Sequence, residues 1–394
     1  MATTKVSGQL VDLNESTSES GLKIPTGTNN NRPATDVAGM IRNNTNETSN
    51  GATSAMEYYN GTDWKKITTK ALLPPTQTYT QNTYSGNGSS NRVFNPGFTP
   101  DLVMIKTTNF YEDWILSYRG FGENYIRANN AQPKVASTML RVDQATGFRV
   151  TGLNPVNSSA GYNYIYYAWK ANGGTYSSNT DGTITSSVQS SAGTAAAGLL
   201  DQGFSIVEYT GNATASQTVG HGLDGTPEFI IVKNVNASVN WACYHVGLGV
   251  NKYFTLDTGA EVTSSGIWAG TNDSVFGVNT ASQVNNNGND LVAFCFKSVD
   301  GYSKIGSYTG TGSAGNAQNI GFEPGLILVR ATGGSSSLLV YDSSSVGQRL
   351  QTNSTVPYSA DTSITFTSTG FEFTGSGNNN SAVNYIYAAF DKNV

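Results

Sequence analysis

Charge and cysteine are scarce in this sequence. Charged residues make up 12 % of its 394 residues, and the formal net charge is −5. A nucleic-acid partner requires clustered Lys and Arg to neutralise phosphates, and the sequence has no such cluster. Two cysteines, Cys243 and Cys295, are too few for a disulfide framework. Both lie in apolar runs, where buried thiols are common.

Long apolar segments are also absent. No stretch approaches the roughly 20 consecutive apolar residues that cross a bilayer, so no membrane insertion is expected. The first residues, MATTKVSGQLVD, lack the apolar core of a secretory signal. We therefore expect synthesis in a cytoplasm without a cleavable leader.

Residues that suit strands and turns are abundant. The chain has 44 Gly, 21 Tyr and 16 Phe, with many runs of Ser, Thr and Asn. Aromatic and β-branched residues fit a pleated surface, and Gly, Asn and Ser suit the turns between strands. Leu, Glu and Lys are too few for many long amphipathic helices. The composition predicts an all-β protein.

One pattern occurs three times. A turn, a proline, an apolar run and a final cation recur as GFTPDLVMIK, GLDGTPEFIIVK and GFEPGLILVR, and each copy ends in an aromatic-rich octapeptide, NYIYYAWK, DLVAFCFK or NYIYAAFD. The proline and the last aromatic residue of each copy serve as anchors of the repeat, and the two are 69, 69 and 66 residues apart. These anchors are Pro100 and Trp169, Pro227 and Phe296, and Pro324 and Phe390.

The octapeptides predict the closing strand of each copy. Alternate positions of a strand face opposite sides, and neither side is polar here. We therefore expect a central strand with one face in a sandwich core and the other against a neighbouring unit. The cations that end the proline-anchored runs are expected at the sheet rim; they are Lys106, Lys233 and Arg330.

Copies of about 95 residues match small, jelly-roll-like β-sandwiches. The predicted organisation is an attachment or docking segment at 1–75, sandwiches at 76–173, 203–300 and 301–394, and a Ser/Thr/Gly/Ala-rich spacer at 174–202. The spacer is expected to pair partly with a sheet. Within the first segment, MEYYNGTDWKKI predicts a hairpin around Asn60-Gly61, a pair that tolerates a tight turn.

The first segment carries a family resemblance. KIPTGTNNNRPATDVAGMIRNNT followed by MEYYNGTDWKKI resembles a module of tail-fibre and other structural proteins of tailed bacteriophages. It departs from that pattern at Thr35-Asp36, where a proline is usual, and in an Asn-rich insertion at 43–53. The repeats, with GFSIVEYTGNA and SVDGYSKIGSYTGTGS, are similar to a domain family of unassigned biochemistry in virion proteins of marine and cyanobacterial phages.

The resemblance implies a non-enzymatic virion structural protein, a tail fibre or spike for host attachment. It implies other virion proteins as partners, a homo-oligomer with a trimer favoured, and a host surface glycan as a possible ligand. The alternatives are a capsid decoration (cement) protein or head fibre, and a depolymerase of host polysaccharide. No cofactor, metal, catalytic or binding residue follows from the resemblance.

The residues that could act chemically also fit structural roles. No nucleophile elbow, spaced histidine pair or CxxC motif occurs. The only histidines, His221 and His245, are expected in turns or the core. NNNGND at 285–290 offers oxygen ligands for Ca²⁺ but also fits a surface loop. Five carboxylates could supply a glycosidase pair, and they are Glu112, Asp113, Asp257, Glu261 and Asp342. Three aromatics could stack on a sugar, and they are Phe110, Tyr111 and Trp114.

Overall fold

The computed structural model describes residues 26–27, 41–44, 55–59, 64–67, 78–190 and 203–392. Strands predominate in them, and the two helices described there, α1 and α2, are single turns (Asn154–Asn157 and Ser282–Asn285). The prediction of an all-β fold is confirmed. The turn predicted at Asn60-Gly61 and spacer residues 191–202 lie outside the described residues.

The chain divides into two compact units, residues 1–73 and 74–394. The described part of the first unit is a four-stranded sheet in the order β1-β2-β3-β4. Its strands are β1 (Thr26–Gly27), β2 (Ile41–Asn44), β3 (Ala55–Tyr59) and β4 (Trp64–Ile67). β3 and β4 pair antiparallel, with Tyr59 opposite Trp64, so the two strands of the predicted hairpin are present.

The second unit contains three copies of one nine-stranded arrangement. The first copy comprises β5 (Tyr79–Ser85), β6 (Arg92–Phe94), β7 (Leu102–Thr107), β8 (Ile115–Tyr118), β9 (Asn124–Arg127), β10 (Val135–Ala136), β11 (Leu140–Gln144), β12 (Gly147–Val150) and β13 (Asn163–Trp169). Two spacer strands follow, β14 (Ser177–Asn179) and β15 (Ser186–Ser190).

The second and third copies repeat that order. The second comprises β16 (Phe204–Thr210), β17 (Gln217–Gly220), β18 (Phe229–Asn234), β19 (Ala242–His245), β20 (Lys252–Phe254), β21 (Glu261–Thr263), β22 (Trp268–Thr271), β23 (Val275–Val278) and β24 (Asp290–Phe296). The third comprises β25 (Ser303–Thr309), β26 (Asn316–Asn319), β27 (Pro324–Ala331), β28 (Leu339–Asp342), β29 (Gln348–Gln351), β30 (Ser359–Ala360), β31 (Ile364–Thr367), β32 (Gly370–Phe373) and β33 (Asn384–Asp391).

Each copy is a sandwich of a large sheet and a three-stranded sheet. In the first copy the large sheet runs β10-β9-β8-β7-β13-β5 and the small one β11-β12-β6. The equivalent strands of the other two copies follow the same orders. In the second copy, β15 pairs with β16 and carries β14 at its outer side, which extends the large sheet to eight strands. The spacer therefore pairs with a sheet as expected.

The closing strand of each copy lies inside its large sheet. β13, for example, pairs antiparallel with both β5 and β7. Tyr164 and Tyr166 on one face pack in the core of their own sandwich. Tyr167 and Trp169 on the other face pack in a core built by all three copies. The sequence prediction of a central strand with two buried faces is confirmed, and burying each such aromatic contributes about 2–3 kcal/mol.

The anchor prolines are buried near the start of the equivalent strands. Pro324 is the first residue of β27, whereas Pro100 and Pro227 precede β7 and β18 by two residues. Proline has no N–H to donate, so it fits where the ladder of hydrogen bonds has not yet begun.

The three sandwiches, within residues 78–190 and 203–392, form a ring around a shared core. Trp169 ends β13, Phe296 ends β24 and Phe390 is the penultimate residue of β33. The three aromatic rings meet edge-on at the centre of the ring of sandwiches. Their ring centroids are 6.3 Å apart for Trp169–Phe296, 5.7 Å for Trp169–Phe390 and 5.6 Å for Phe296–Phe390. Because each aromatic touches both of the others, every copy packs against the other two.

Candidate functional site

The centre of the ring is a packing junction. A cavity of about 50 Å³ lies there, lined by apolar side chains of all three copies together with Thr352. A buried water needs two to four polar partners, and this lining offers almost none. The centre therefore serves to join the sandwiches.

The residues that end the equivalent strands β8, β19 and β28 bond each copy to the next. The Tyr118 hydroxyl donates to Glu208 Oε1 of the second copy (2.9 Å). His245 Nε2 lies 3.1 Å from the carbonyl oxygen of Tyr387 in the third copy. The Asp342 carboxylate accepts from the Tyr167 hydroxyl of the first copy (3.3 Å). The bonds run from the first copy to the second, from the second to the third and from the third to the first, with a different side chain at each junction.

The cations that end the proline-anchored runs are buried between copies. Lys106 Nζ donates to the carbonyl of Glu112 in its own loop (2.7 Å) and to that of Thr355 in the third copy (2.8 Å). Lys233 Nζ donates to Val239 O (2.8 Å) and, in the first copy, to Ala131 O (2.9 Å).

Arg330 is the third of these cations. Its guanidinium carbon lies 4.4 Å from the ring centroid of Phe254 in the second copy. Burial lowers the pKa of Lys106 and of Lys233 to about 8, and that of Arg330 to about 10. The expectation that these cations emerge at the rim is wrong, because carbonyl groups and a ring of the adjacent sandwich cover them.

A buried asparagine, also repeated, holds the YSGN, YTGN and YTGT turns. Asn285 accepts from the Asn212 backbone N–H (2.8 Å) and donates to Thr214 O (2.8 Å). Asn157 and Asn379 make the equivalent bonds in the other copies. Gly211 lies two residues after the tyrosine of this turn, and a Cβ there would lie 2.3 Å from the carbonyl oxygen of Asn286. The recurring residues are therefore folding determinants.

Both histidines are held as neutral rings by the backbone. In His245 the Nδ1 accepts from the Gly247 N–H (3.0 Å), so Nε2 carries the proton that the Tyr387 carbonyl accepts. His221 accepts from the Leu223 N–H in the same way (3.1 Å). Burial lowers the pKa of His245 to about 4 and also lowers that of His221.

The five sequence-selected carboxylates have separate partners. Asp113 pairs with Arg127 (2.8 Å), Glu261 pairs with Lys252 (3.2 Å), and Asp257 accepts from the Trp241 backbone N–H (3.1 Å). Asp342 accepts from two tyrosine hydroxyls, and the side chain of Glu112 forms a hydrogen bond with that of Tyr162. None of the five lines the polar cleft of the structure.

The Asn-rich stretch 285–290 forms hydrogen bonds within the chain. Asn285 holds the turn described above, and Asn289 Nδ2 donates to Asn234 Oδ1 (3.2 Å). Throughout the described ranges, no group of three or more His, Cys, Asp or Glu side chains is placed to hold a metal ion.

The polar cleft lies between the first and second copies and was not identified from the sequence. Its volume is about 560 Å³. Hydroxyl groups of the spacer line it together with Lys134, Glu208 and Asp290. Burial raises the pKa of Glu208, and the hydrogen bond from Tyr118 opposes this shift. Glu208, the one charged residue of the strand sequence FSIVEYT, was the available sequence signal.

The structure separates the three aromatics that the sequence offers for sugar stacking. Trp114 is 1 % exposed, and its Nε1 donates to Gln351 O of the third copy (2.8 Å). Phe110 and Tyr111 remain at the surface, 38 % and 73 % exposed. Phe110 stacks on Tyr162, with centroids 4.0 Å apart and planes at 18°. We call Phe110, Tyr111 and Tyr162 the aromatic platform.

Fold and site together define an all-β protein of three covalently linked sandwiches closed into a ring. The chain belongs to the family described as a domain of unknown function, DUF7483, which matches residues 74–393 and so spans all three copies. No curated protein and no solved structure matches the chain. None of the helices in the described residues is long and apolar enough to cross a membrane.

Proposed function

We propose that the protein is a non-enzymatic structural protein of a bacteriophage virion, a tail fibre or spike that presents sandwich domains to the host surface. The observation that supports this most directly is the cross-bracing of the three copies. Each copy packs against both others and bonds to a neighbour through buried polar groups. A ring braced in this way is suited to hold its surface loops rigidly outside a cell.

The internal chemistry also favours a structural role. The residues most able to act chemically, His245, Lys106 and Lys233, are buried and occupied by backbone groups at the junctions. The resemblance of residues 23–67 to phage tail-fibre modules favours attachment of the first unit to other virion proteins. Several copies on one particle would raise avidity above the affinity of one site.

The test is immunogold labelling of purified phage particles that encode the chain, combined with copy counting by quantitative mass spectrometry. We expect label on the tail and a copy number that is a small multiple of the tail symmetry. Label on the head with hundreds of copies would support a decoration protein or head fibre. Absence from the particle would refute the virion assignment.

The proposed fibre is a homo-oligomer, with a trimer favoured. Native mass spectrometry measures this directly, because one chain has a mass of 41.6 kDa. A species at three times this mass would support the trimer, and a monomer at all concentrations would refute it. In that trimer each chain would contribute a complete ring.

A depolymerase is the second candidate, and one observation favours it. Glu208 pairs with Val292, and Thr210 pairs with Asp290, so the two carboxylates are diagonal neighbours on one face of the sheet. Diagonal neighbours are about 7–8 Å apart at the backbone, so their side chains can reach the roughly 5–10 Å separation of paired glycosidase carboxyl groups. Release of reducing sugar from host polysaccharide that Glu208→Gln abolishes would support this activity, and no release from any polysaccharide tested would reject it.

A further inference from the structure

The aromatic platform is confined to one of three equivalent positions. The loop from Lys106 to Trp114 reads TTNFYED, whereas the equivalent loops read NVNASVN in the second copy and ATGGSSS in the third. The position of Tyr162 is equivalent to Asn289 and Val383. Two copies fold without an aromatic at any of these places, so folding does not require the platform.

The loop that carries the platform is fixed from several sides. Thr107 Oγ1 accepts from the Phe110 N–H (3.0 Å) and donates to its carbonyl (2.7 Å). The Asn109 side chain bonds to Gly161 O (2.8 Å) and accepts from the Asn163 N–H (2.8 Å).

The third copy holds the same loop from the other side. The Glu112 N–H donates to Thr355 O (3.2 Å), and the Tyr358 N–H donates to Thr108 O (3.1 Å). The backbone that carries the exposed rings is therefore held in place before any ligand arrives, which reduces the entropy cost of binding.

Polar groups surround the two exposed rings. The side chain of Asn109 lies at the exposed surface, and those of Glu112 and Tyr162 are partly exposed. Flat aromatic surface with a few hydrogen-bonding groups at its edge fits a ligand that has an apolar face and a polar rim. A pyranose has this form, with C–H bonds on a face and hydroxyls around it. Two rings are too small for a protein interface, which buries about 800 Å² on each partner.

We propose that the aromatic platform is a carbohydrate-binding site, in which Tyr111 and Phe110 stack on a pyranose ring and Asn109 and Glu112 bind its hydroxyls. This inference deepens the proposed attachment function and rests on it for its biological meaning. It assigns one sugar site to each chain, on the first copy.

The test is saturation-transfer difference NMR on the full chain. The probes are the methyl pyranosides of glucose, galactose, mannose, rhamnose, N-acetylglucosamine and N-acetylgalactosamine, at concentrations near the about 1 mM affinity expected of a single weak site. We expect transfer to at least one pyranoside. Tyr111→Ala should reduce it about five-fold, in the range of a single aromatic contact, and Tyr111→Phe should retain it.

Val346→Ala is the matched control, because Val346 is 68 % exposed in the third copy and its loss should leave transfer unchanged. Equal thermal midpoints would show that Tyr111→Ala leaves the fold intact. No transfer from any probe, or equal transfer in the wild type and in a Phe110→Ala/Tyr111→Ala double variant, would overturn the proposal. Pyranoside binding by a chain that is absent from particles would refute only the virion assignment.

Discussion

Trp169 of the first copy meets Phe390 of the third edge-on, with ring centroids 5.7 Å apart and planes at 74°. These residues are 221 positions apart in the chain and occupy equivalent places in their sandwiches. Because Phe296 completes the same contact, the copies share one core, and the free energy of unfolding of each depends on the others.

Truncation of the central tryptophan should therefore weaken the whole ring. We expect Trp169→Ala to lower the free energy of unfolding by about 3–5 kcal/mol, the usual cost of removing a buried large aromatic. Urea unfolding measures this change. Trp169→Phe is the control, since phenylalanine occupies the equivalent positions 296 and 390, and it should cost less. Equal stability of Trp169→Ala and wild type would show that the junction contributes nothing.

Lys233 should stabilise the junction between the first and second copies. Lys233→Met leaves Ala131 O and Val239 O without their donor, and an unsatisfied buried carbonyl costs about 1–3 kcal/mol. We expect a loss of about 3 kcal/mol in urea unfolding. Lys304→Met is the control, because Lys304 is exposed on β25. A neutral Lys233→Met variant would mean that apolar packing replaces the ammonium fully.

His245 should make the fold sensitive to acid. Its folded pKa is about 4, below its ordinary value of 6.5, so between these values the unfolded chain binds a proton that the folded chain does not. Stability therefore falls as pH decreases from 6.5 to 4, by about 1.4 kcal/mol per pH unit for one group.

The measurement is urea unfolding at several pH values. His245→Asn should show a shallower decrease than the wild type across the same interval. Parallel pH profiles for the two proteins would contradict the assignment of this proton to His245.

The repeated asparagine should contribute more to the free energy of unfolding than its neighbours in the same loop. Asn285→Ala removes the partners of the Asn212 N–H and of Thr214 O, and we expect a loss of about 2 kcal/mol or more. Asn287→Ala changes an exposed asparagine two positions away and should be neutral. Thermal unfolding of both variants measures this difference. Equal unfolding midpoints for Asn285→Ala and Asn287→Ala would reject the structural role of Asn285.

The sequence predicted the part of the fold that local patterns encode. The lack of a polar face in NYIYYAWK and its relatives indicated a strand with two buried faces, and three aligned copies indicated three sandwiches. Closure into a ring could not be predicted, because the same apolar face would serve a linear stack. Lys106 and Lys233 were expected at the rim, since no local pattern shows the carbonyl groups that another copy supplies.

The candidate site was only partly visible in the sequence. Phe110 and Tyr111 were selected correctly as surface aromatics, but Tyr162 was not, because its contact with Phe110 spans 52 positions. The cleft at Glu208 depends on how two copies and the spacer meet. Asn157, Asn285 and Asn379 did carry a signal, since they recur at matching positions when the copies are aligned.

The covalent linkage of the three sandwiches has a further consequence. A ring of separate chains would come apart on dilution, whereas this ring closes within one molecule and its stability is independent of concentration. In a ring of three identical chains, every amino-acid substitution would also appear at all three equivalent positions. Here the first copy carries the aromatic platform, and β14 and β15 extend the large sheet of the second copy. The three copies therefore present different surfaces, so a partner can bind the ring in one defined orientation.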